Sequence, residues 1–124
     1  MLPEINSPPV YPRIELNNLF SIVEWQNTIP WKPFKAGLEI HRLYGDGVTG
    51  AAAALLRCQA TCSIPSHEHL GYEHILVLAG AERDQNSIAS AGTLMINPPG
   101  SIHRVTTFTG SIVLAIWEAP MKLA

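Results

Sequence analysis

His67, His69, Glu73 and His103 are the residues of this chain whose types and spacing could do chemistry together. Three imidazoles and one carboxylate make a complete ligand set for a divalent transition metal, iron or zinc foremost, with manganese and nickel as alternatives. On a β-strand alternate side chains share a face and advance about 6.6 Å per pair of residues, so His67 and His69 point the same way and can converge on one ion. Leu70, Gly71 and Tyr72 read as a turn, which begins the returning strand at Glu73, beside His69. Glu73 shares its parity with Ile75, Val77 and Ala79, an apolar set in which an ionised carboxylate needs a partner, and a divalent cation is one. His103 enters from the second half of the chain, after a Pro99-Gly100 pair that suits the central positions of a type II turn.

A His-x-His pair alone arises often by chance, and a single buried His is commonly no more than a partner for the backbone. Glu73 and His103 at these intervals turn the pair into an expected metal site. His74 has the opposite parity and is expected on the surface or at an interface. Tyr72, His41 and Arg42 are candidates for orienting or proton-transfer roles, but nothing in their spacing compels them inward, and surface or packing roles are the better expectation.

The quartet must be positioned by short elements. Residues 19–25 read as a first strand and residues 30–37 as a rigid aromatic loop. Further β-prone runs cover 38–44, 51–58, 63–69 and 73–79, with Gly80 as a stop, then 87–90, 93–97, 102–108 and 111–118. Such spacing, punctuated by Gly and Pro, predicts an all-β sandwich or barrel. The four alanines within residues 50–57 favour a helix by propensity, yet eight residues without caps make a poor one, so a strand is expected. Prolines 3, 8, 9 and 12 make residues 1–13 an extended arm. Residues 112–117 are apolar at both parities, which predicts cover on both faces, by the core and by another sheet or subunit, and hence a homodimer.

With 124 residues the chain is one ordinary domain, and 47% hydrophobic against 15% charged residues suits a packed core rather than disorder. The net charge of -2, with Lys and Arg scattered singly, provides no basic stripe, so no nucleic-acid partner is expected. Glu4 and three prolines stand where a secretory signal would need a basic end and an apolar run. The uncharged stretch 86–102 is broken by Asn97, Pro98, Pro99 and Gly100, so no membrane span is expected and a cytoplasmic setting is the default. Cys58 and Cys62 are too few for a disulfide framework, and the expectation is two reduced thiols packed as small hydrophobes, with a redox role as the alternative.

On these residues the chain resembles the cupin superfamily. The first cupin motif, Gly-x5-His-x-His-x3,4-Glu-x6-Gly, is matched by His67, His69, Glu73 and Gly80; the second, Gly-x5-Pro-x-Gly-x2-His-x3-Asn, by Gly92, Pro98, Gly100 and His103. Thr61 and Thr107 depart from the first Gly and the last Asn of those patterns, outside the ligand set. A closer likeness, carried by residues 67–78, Gly80, Asp84, residues 97–101 and His103, is to cupins similar to the C-terminal domain of the anti-sigma factor ChrR. His74 stands where that group usually has a second acidic residue.

The resemblance implies a double-stranded β-helix, a jelly-roll barrel over residues 19–124 with residues 1–18 as the arm, and a metal in its mouth. Similar proteins include zinc-containing sensor domains and iron-dependent dioxygenases of small ketones or phenols. The leading expectation is a non-haem metal-dependent dioxygenase acting on a small organic molecule. The rival is a zinc-bound ligand- or redox-sensing module without turnover, and a third reading has the metal only bracing the barrel. The His-x3-Cys-x2-Cys helical domain of the anti-sigma proteins is not matched, so sigma-factor inhibition in that form is not expected.

Overall fold

The computed structural model of the chain describes residues 11–123 apart from 36 and 60. The greater part of the expected arm therefore lies outside the described residues; residues 11–18 have no regular structure, and Leu16 near their end packs on the body. A 3₁₀ turn (Leu19–Ser21), a single α-helical turn α1 (Ile22–Trp25) and a second 3₁₀ turn (Gln26–Thr28) follow. Among the described residues nine strands follow: β1 (Lys32–Lys35), β2 (Leu38–Tyr44), β3 (Ala52–Cys58), β4 (Cys62–His69), β5 (Glu73–Asp84), β6 (Ile88–Ser90), β7 (Leu94–Asn97), β8 (Ile102–Trp117) and β9 (Met121–Leu123). Among the described residues no helix is long and apolar enough to cross a membrane.

All pairings are antiparallel, in the order β1-β2-β3-β8-β4-β9, with β5 joining β6, β7 and β8. The sixteen-residue β8 organises the barrel. On one side it pairs with β3 along residues 111–117 and then with β4 along 102–107; on the other it pairs with β5. The two runs expected at 102–108 and 111–118 are thus one strand, because Gly110 marks a change of partner rather than a turn. Likewise β5 continues through Gly80, the expected stop, to Asp84. Lys32–Lys35 lies in the expected aromatic loop but pairs with β2, and β9 is a strand the sequence reading missed. The alanine-rich run is fully buried strand β3.

Alternation divides the apolar residues between two clusters. Leu38, Ile40, Ala54, Leu56, Ile75, Val77, Val113 and Ala115 fill the barrel. Leu55, Leu78 and Ile112 point outward and pack against Ile22 and Ile29, with Leu16, Leu19 and Trp25 around them. This corrects two expectations. Residues 19–25 are helical turns, not a strand, because Leu16, Leu19, Ile22 and Trp25 recur every third residue, a helical spacing masked by β-prone residue types. The outer face of residues 112–117, expected under another sheet or a subunit, is covered in part by this segment of the same chain. Arg57 fastens the segment: its guanidinium donates to both Glu39 carboxylate oxygens at 2.9 and 3.1 Å and to Gln26 Oε1 and Asn27 Oδ1 at 3.1 and 3.2 Å, and lies 4.7 Å from the Trp31 ring centre.

The two cysteines are also corrected. Cys58 and Cys62, both buried, form a disulfide across a Cα–Cα distance of 6.1 Å. Cys58 ends β3 and Cys62 begins β4, two strands that follow one another in the same direction along β8, and both side chains face the barrel interior, a proximity that composition does not reveal. Closing so short a loop constrains the unfolded chain by about 2 kcal/mol. The Cys58→Ala/Cys62→Ala double variant is accordingly expected to be less stable by about 2 kcal/mol in equilibrium urea denaturation, with a lower midpoint.

Candidate metal centre

β4, β5 and β8 bring the quartet together. His67 pairs directly with His103 across β4 and β8, His69 ends β4, and Glu73 begins β5 after the expected turn. All four are buried, with 1–4% of their surface exposed, and their ligand atoms lie within 4.8 Å of one another. The corner before His103 has the expected form: Gly100 adopts φ +84°, and the Ser101 N–H donates to the Pro98 carbonyl at 3.2 Å. That corner is pinned to β4 by Gly100 N–H to His69 O at 2.7 Å and His69 N–H to Ser101 O at 3.0 Å. The turn that admits His103 therefore also fixes the backbone of His69.

Hydrogen bonds at the far ring nitrogens fix two of the imidazoles. His67 Nδ1 lies 2.9 Å from the Pro65 carbonyl, an acceptor, so it carries the proton. His69 Nδ1 lies 2.8 Å from Ser101 Oγ, whose own hydroxyl donates to Pro98 O at 2.7 Å; the imidazole is again the donor. Both leave Nε2 as a bare lone pair. His103 presents Nδ1 towards Glu73, at 3.7 Å from Oε1, and Nε2 towards Asp84, at 3.3 Å from Oδ2. None of these inner nitrogens has a hydrogen-bond partner, including His69 Nε2, which approaches Glu73 Oε1 at 2.9 Å without suitable alignment.

Burial alone would favour the neutral acid of Glu73. The imidazoles of His103 and His69 and the Trp117 indole outweigh it and hold the carboxyl well below its usual range. Asn97 Nδ2 donates to Oε1 at 3.0 Å and Trp117 Nε1 to Oε2 at 2.6 Å, so the carboxylate is oriented from both sides. Burial pushes His67 below the ordinary imidazole range and keeps it neutral. At His103 burial acts the same way, but Glu73, with Glu82 and Asp84, prevails and raises it.

Buried nitrogens with unused lone pairs beside an ionised carboxylate are costly for a protein to keep unless they have a use. A divalent ion bound at about 2.0–2.1 Å from each nitrogen would satisfy them together, so the residues fit a metal. His74 is not among them: it faces outward, between Ile96 and Ile116 in the register and near Tyr72. Tyr72 and Arg42 are exposed and His41 half-buried on β2; none lines the cavity described next.

His67, Glu73 and His103 open onto a cavity of about 180 Å³ inside the barrel, walled mainly by apolar side chains such as Ile64, Ile75, Val105 and Trp117. Two carboxyls near the quartet were not recognised as site residues in the sequence. Glu82 lines the cavity, and burial pushes its carboxyl up to about 7; Asp84 backs His103. Their signal was Gly80. Inward parity on β5 is odd at Glu73, Ile75 and Val77, but register irregularities between Val77 and Arg83 shift it, and Glu82 and Asp84 face in instead.

A curled antiparallel barrel with three buried imidazoles and a carboxylate converging inside it defines a cupin. The chain belongs to the family of the ChrR Cupin-like domain, which matches residues 21–122. The ChrR anti-sigma protein of Rhodobacter sphaeroides, solved in complex with SigE, is 30% identical over 72% of this chain and 48% of its own, with a TM-score of 0.63. An acetylacetone dioxygenase from Acinetobacter johnsonii is 21% identical over 93% and 77%, TM-score 0.67. A Methylibium petroleiphilum protein provisionally assigned the same activity is 18% identical over 95% and 85%, TM-score 0.73. At these identities the last two likenesses carry the fold alone. The chain spans 48% to 66% of the length of ChrR and of two cupin-fold proteins from Ralstonia eutropha. No curated protein matches the chain in sequence.

The orienting residues give a prediction of their own. Ser101→Ala removes the acceptor that fixes the His69 ring, and outer partners of metal-bound imidazoles are worth about 10–100-fold in metal affinity. The variant is expected to bind zinc weaker by that factor in competition with a chromogenic chelator, with its fold unchanged.

Proposed function

We propose that this chain is a metal-dependent enzyme of the non-haem iron dioxygenase type, with His67, His69, Glu73 and His103 as the ligands. The observation that carries the reading is the cavity: three of the four ligand residues, His67, Glu73 and His103, line an apolar chamber inside the barrel large enough for a small molecule. When bound, a metal of this kind supplies Lewis acidity and sites for substrate oxygen and dioxygen. The chain's own residues do the rest. Pro65 and Ser101 aim the imidazoles of His67 and His69, Asp84 lies against His103, Asn97 and Trp117 orient Glu73, and Leu56, Ile64, Ile75 and Val113 give the chamber apolar walls. A chamber this small suits an organic molecule of about one ring, since a cavity of roughly 150 Å³ accommodates benzene.

A second reading, which the resemblance to ChrR-like cupins implies, is a zinc-bound sensing module without turnover. Anaerobic purification, elemental analysis and an oxygen-uptake screen against β-diketones, hydroxyketones and catechols with iron restored separate the two. Uptake that requires iron supports the enzyme; tight zinc with no uptake for any of them supports the sensor.

The proposed assembly is a homodimer built on the exposed apolar residues Leu94 and Ile96 of β7 and Ile116 of β8, which flank His74 of the β5 strand between them. Light scattering is expected to give twice the chain mass, and Ile96→Glu to halve it. A monomeric wild-type protein contradicts the assignment.

A further inference from the structure

Glu82 is buried yet makes no hydrogen bond among the described residues, and it lines the same chamber as His67, Glu73 and His103. A carboxyl in an apolar wall costs stability unless something pairs with it. The fold goes to some length to put it there. Gly80 has φ +69°, a Cβ on it would overlap the Gly110 carbonyl oxygen, and beyond this constrained residue the inward parity of β5 is shifted. A regular strand would send Glu82 to the outer face. Arg57, the other buried charged side chain outside the quartet, is fully paired with Glu39, Gln26 and Asn27, so it offers no comparable unused group.

We propose that Glu82 orients the substrate: its carboxyl accepts a hydrogen bond from a hydroxyl or enol O–H on a small, otherwise apolar, one-ring-sized molecule lying in the chamber beside the quartet. The carboxyl offers an acceptor oxygen whether or not it carries a proton. The chamber has few other polar groups besides the quartet, so a donor on the ligand has few alternatives and an apolar ligand of the same shape leaves Glu82 unpaired. Discrimination follows from that difference, as a buried polar group left without a partner penalises the wrong ligand.

This rests on the reading of the quartet as a metal centre, and the test keeps the two apart. Phenol and fluorobenzene are nearly isosteric probes that differ in the O–H. Calorimetric titration of zinc-loaded and chelator-stripped wild-type protein is expected to show phenol bound at least about tenfold tighter in both forms. In Glu82→Leu the two probes are expected to bind within about twofold of each other, with zinc content and Tm not lowered, because an unpaired acid has been removed. In infrared difference spectra, phenol but not fluorobenzene is expected to shift a carboxyl band that is missing from Glu82→Gln, which keeps the shape. Equal binding of the probes by stripped wild-type protein, an unchanged preference in Glu82→Leu, or no carboxyl band shift overturns the assignment. Failure of wild-type protein to take up zinc overturns the metal reading instead, while the stripped protein still tests Glu82.

Discussion

Glu73→Ala is expected to lower metal affinity by more than about a hundredfold while the barrel stays folded. Loss of outer partners alone costs about 10–100-fold, and Glu73 is the single anionic donor among three neutral imidazoles, so its removal exceeds that. The fold survives for a separate reason. Removing the carboxylate leaves the Asn97 amide and the Trp117 indole without their acceptor, a cost of about 1–3 kcal/mol each, against about 5–15 kcal/mol for a typical domain. Elemental analysis after dialysis, beside far-ultraviolet circular dichroism, measures both halves. Full metal occupancy in Glu73→Ala would remove Glu73 from the ligand set. Glu73→Gln keeps one acceptor oxygen, enough for Asn97 or Trp117 but not for both, and loses the charge; it is expected to recover part of the stability without recovering the metal.

The second large effect is structural. Gly80→Ala places a Cβ against the Gly110 carbonyl and a side chain at φ +69°, a left-handed conformation. The backbone overlap cannot be relieved by a rotamer change, since the atom met is main chain of β8, the strand that β5 must pair with. The variant is expected to lose about 3 kcal/mol or more, within the range reserved for strain at special backbone positions. Urea denaturation reads it directly, and a variant as stable as the parent would show that the two strands separate freely there. Because Glu82 and Asp84 follow the same irregularity, the loss of stability should be accompanied by loss of metal affinity.

The quartet was legible because its chemistry lies in residue types and its geometry in local rules: alternation for His67 and His69, a short turn for Glu73, a Pro-Gly corner for His103. The strands β2, β3, β4 and β7 were legible for similar reasons, being bounded by Gly, Pro and polar residues. What was not legible depends on partners distant in sequence. Residues 19–25 have β-prone side chains, and only packing on Leu55, Leu78 and Ile112 makes their three-residue spacing decisive. Gly80 looked like a stop, because a strand that crosses a glycine in the left-handed region needs the facing Gly110 to accommodate it. That one misreading hid Glu82 and the role of Asp84. The Cys58–Cys62 disulfide was hidden by a connection whose tightness exists only once β3 and β4 both pair with β8.

Metal-edge X-ray absorption on the protein purified without added metal or oxygen tests the central claim most directly. The account predicts about one metal per chain, with only nitrogen and oxygen donors at about 2.0–2.2 Å and the multiple-scattering pattern of three imidazoles. A sulfur donor, fewer than three imidazoles, or no stoichiometric metal at all would contradict it.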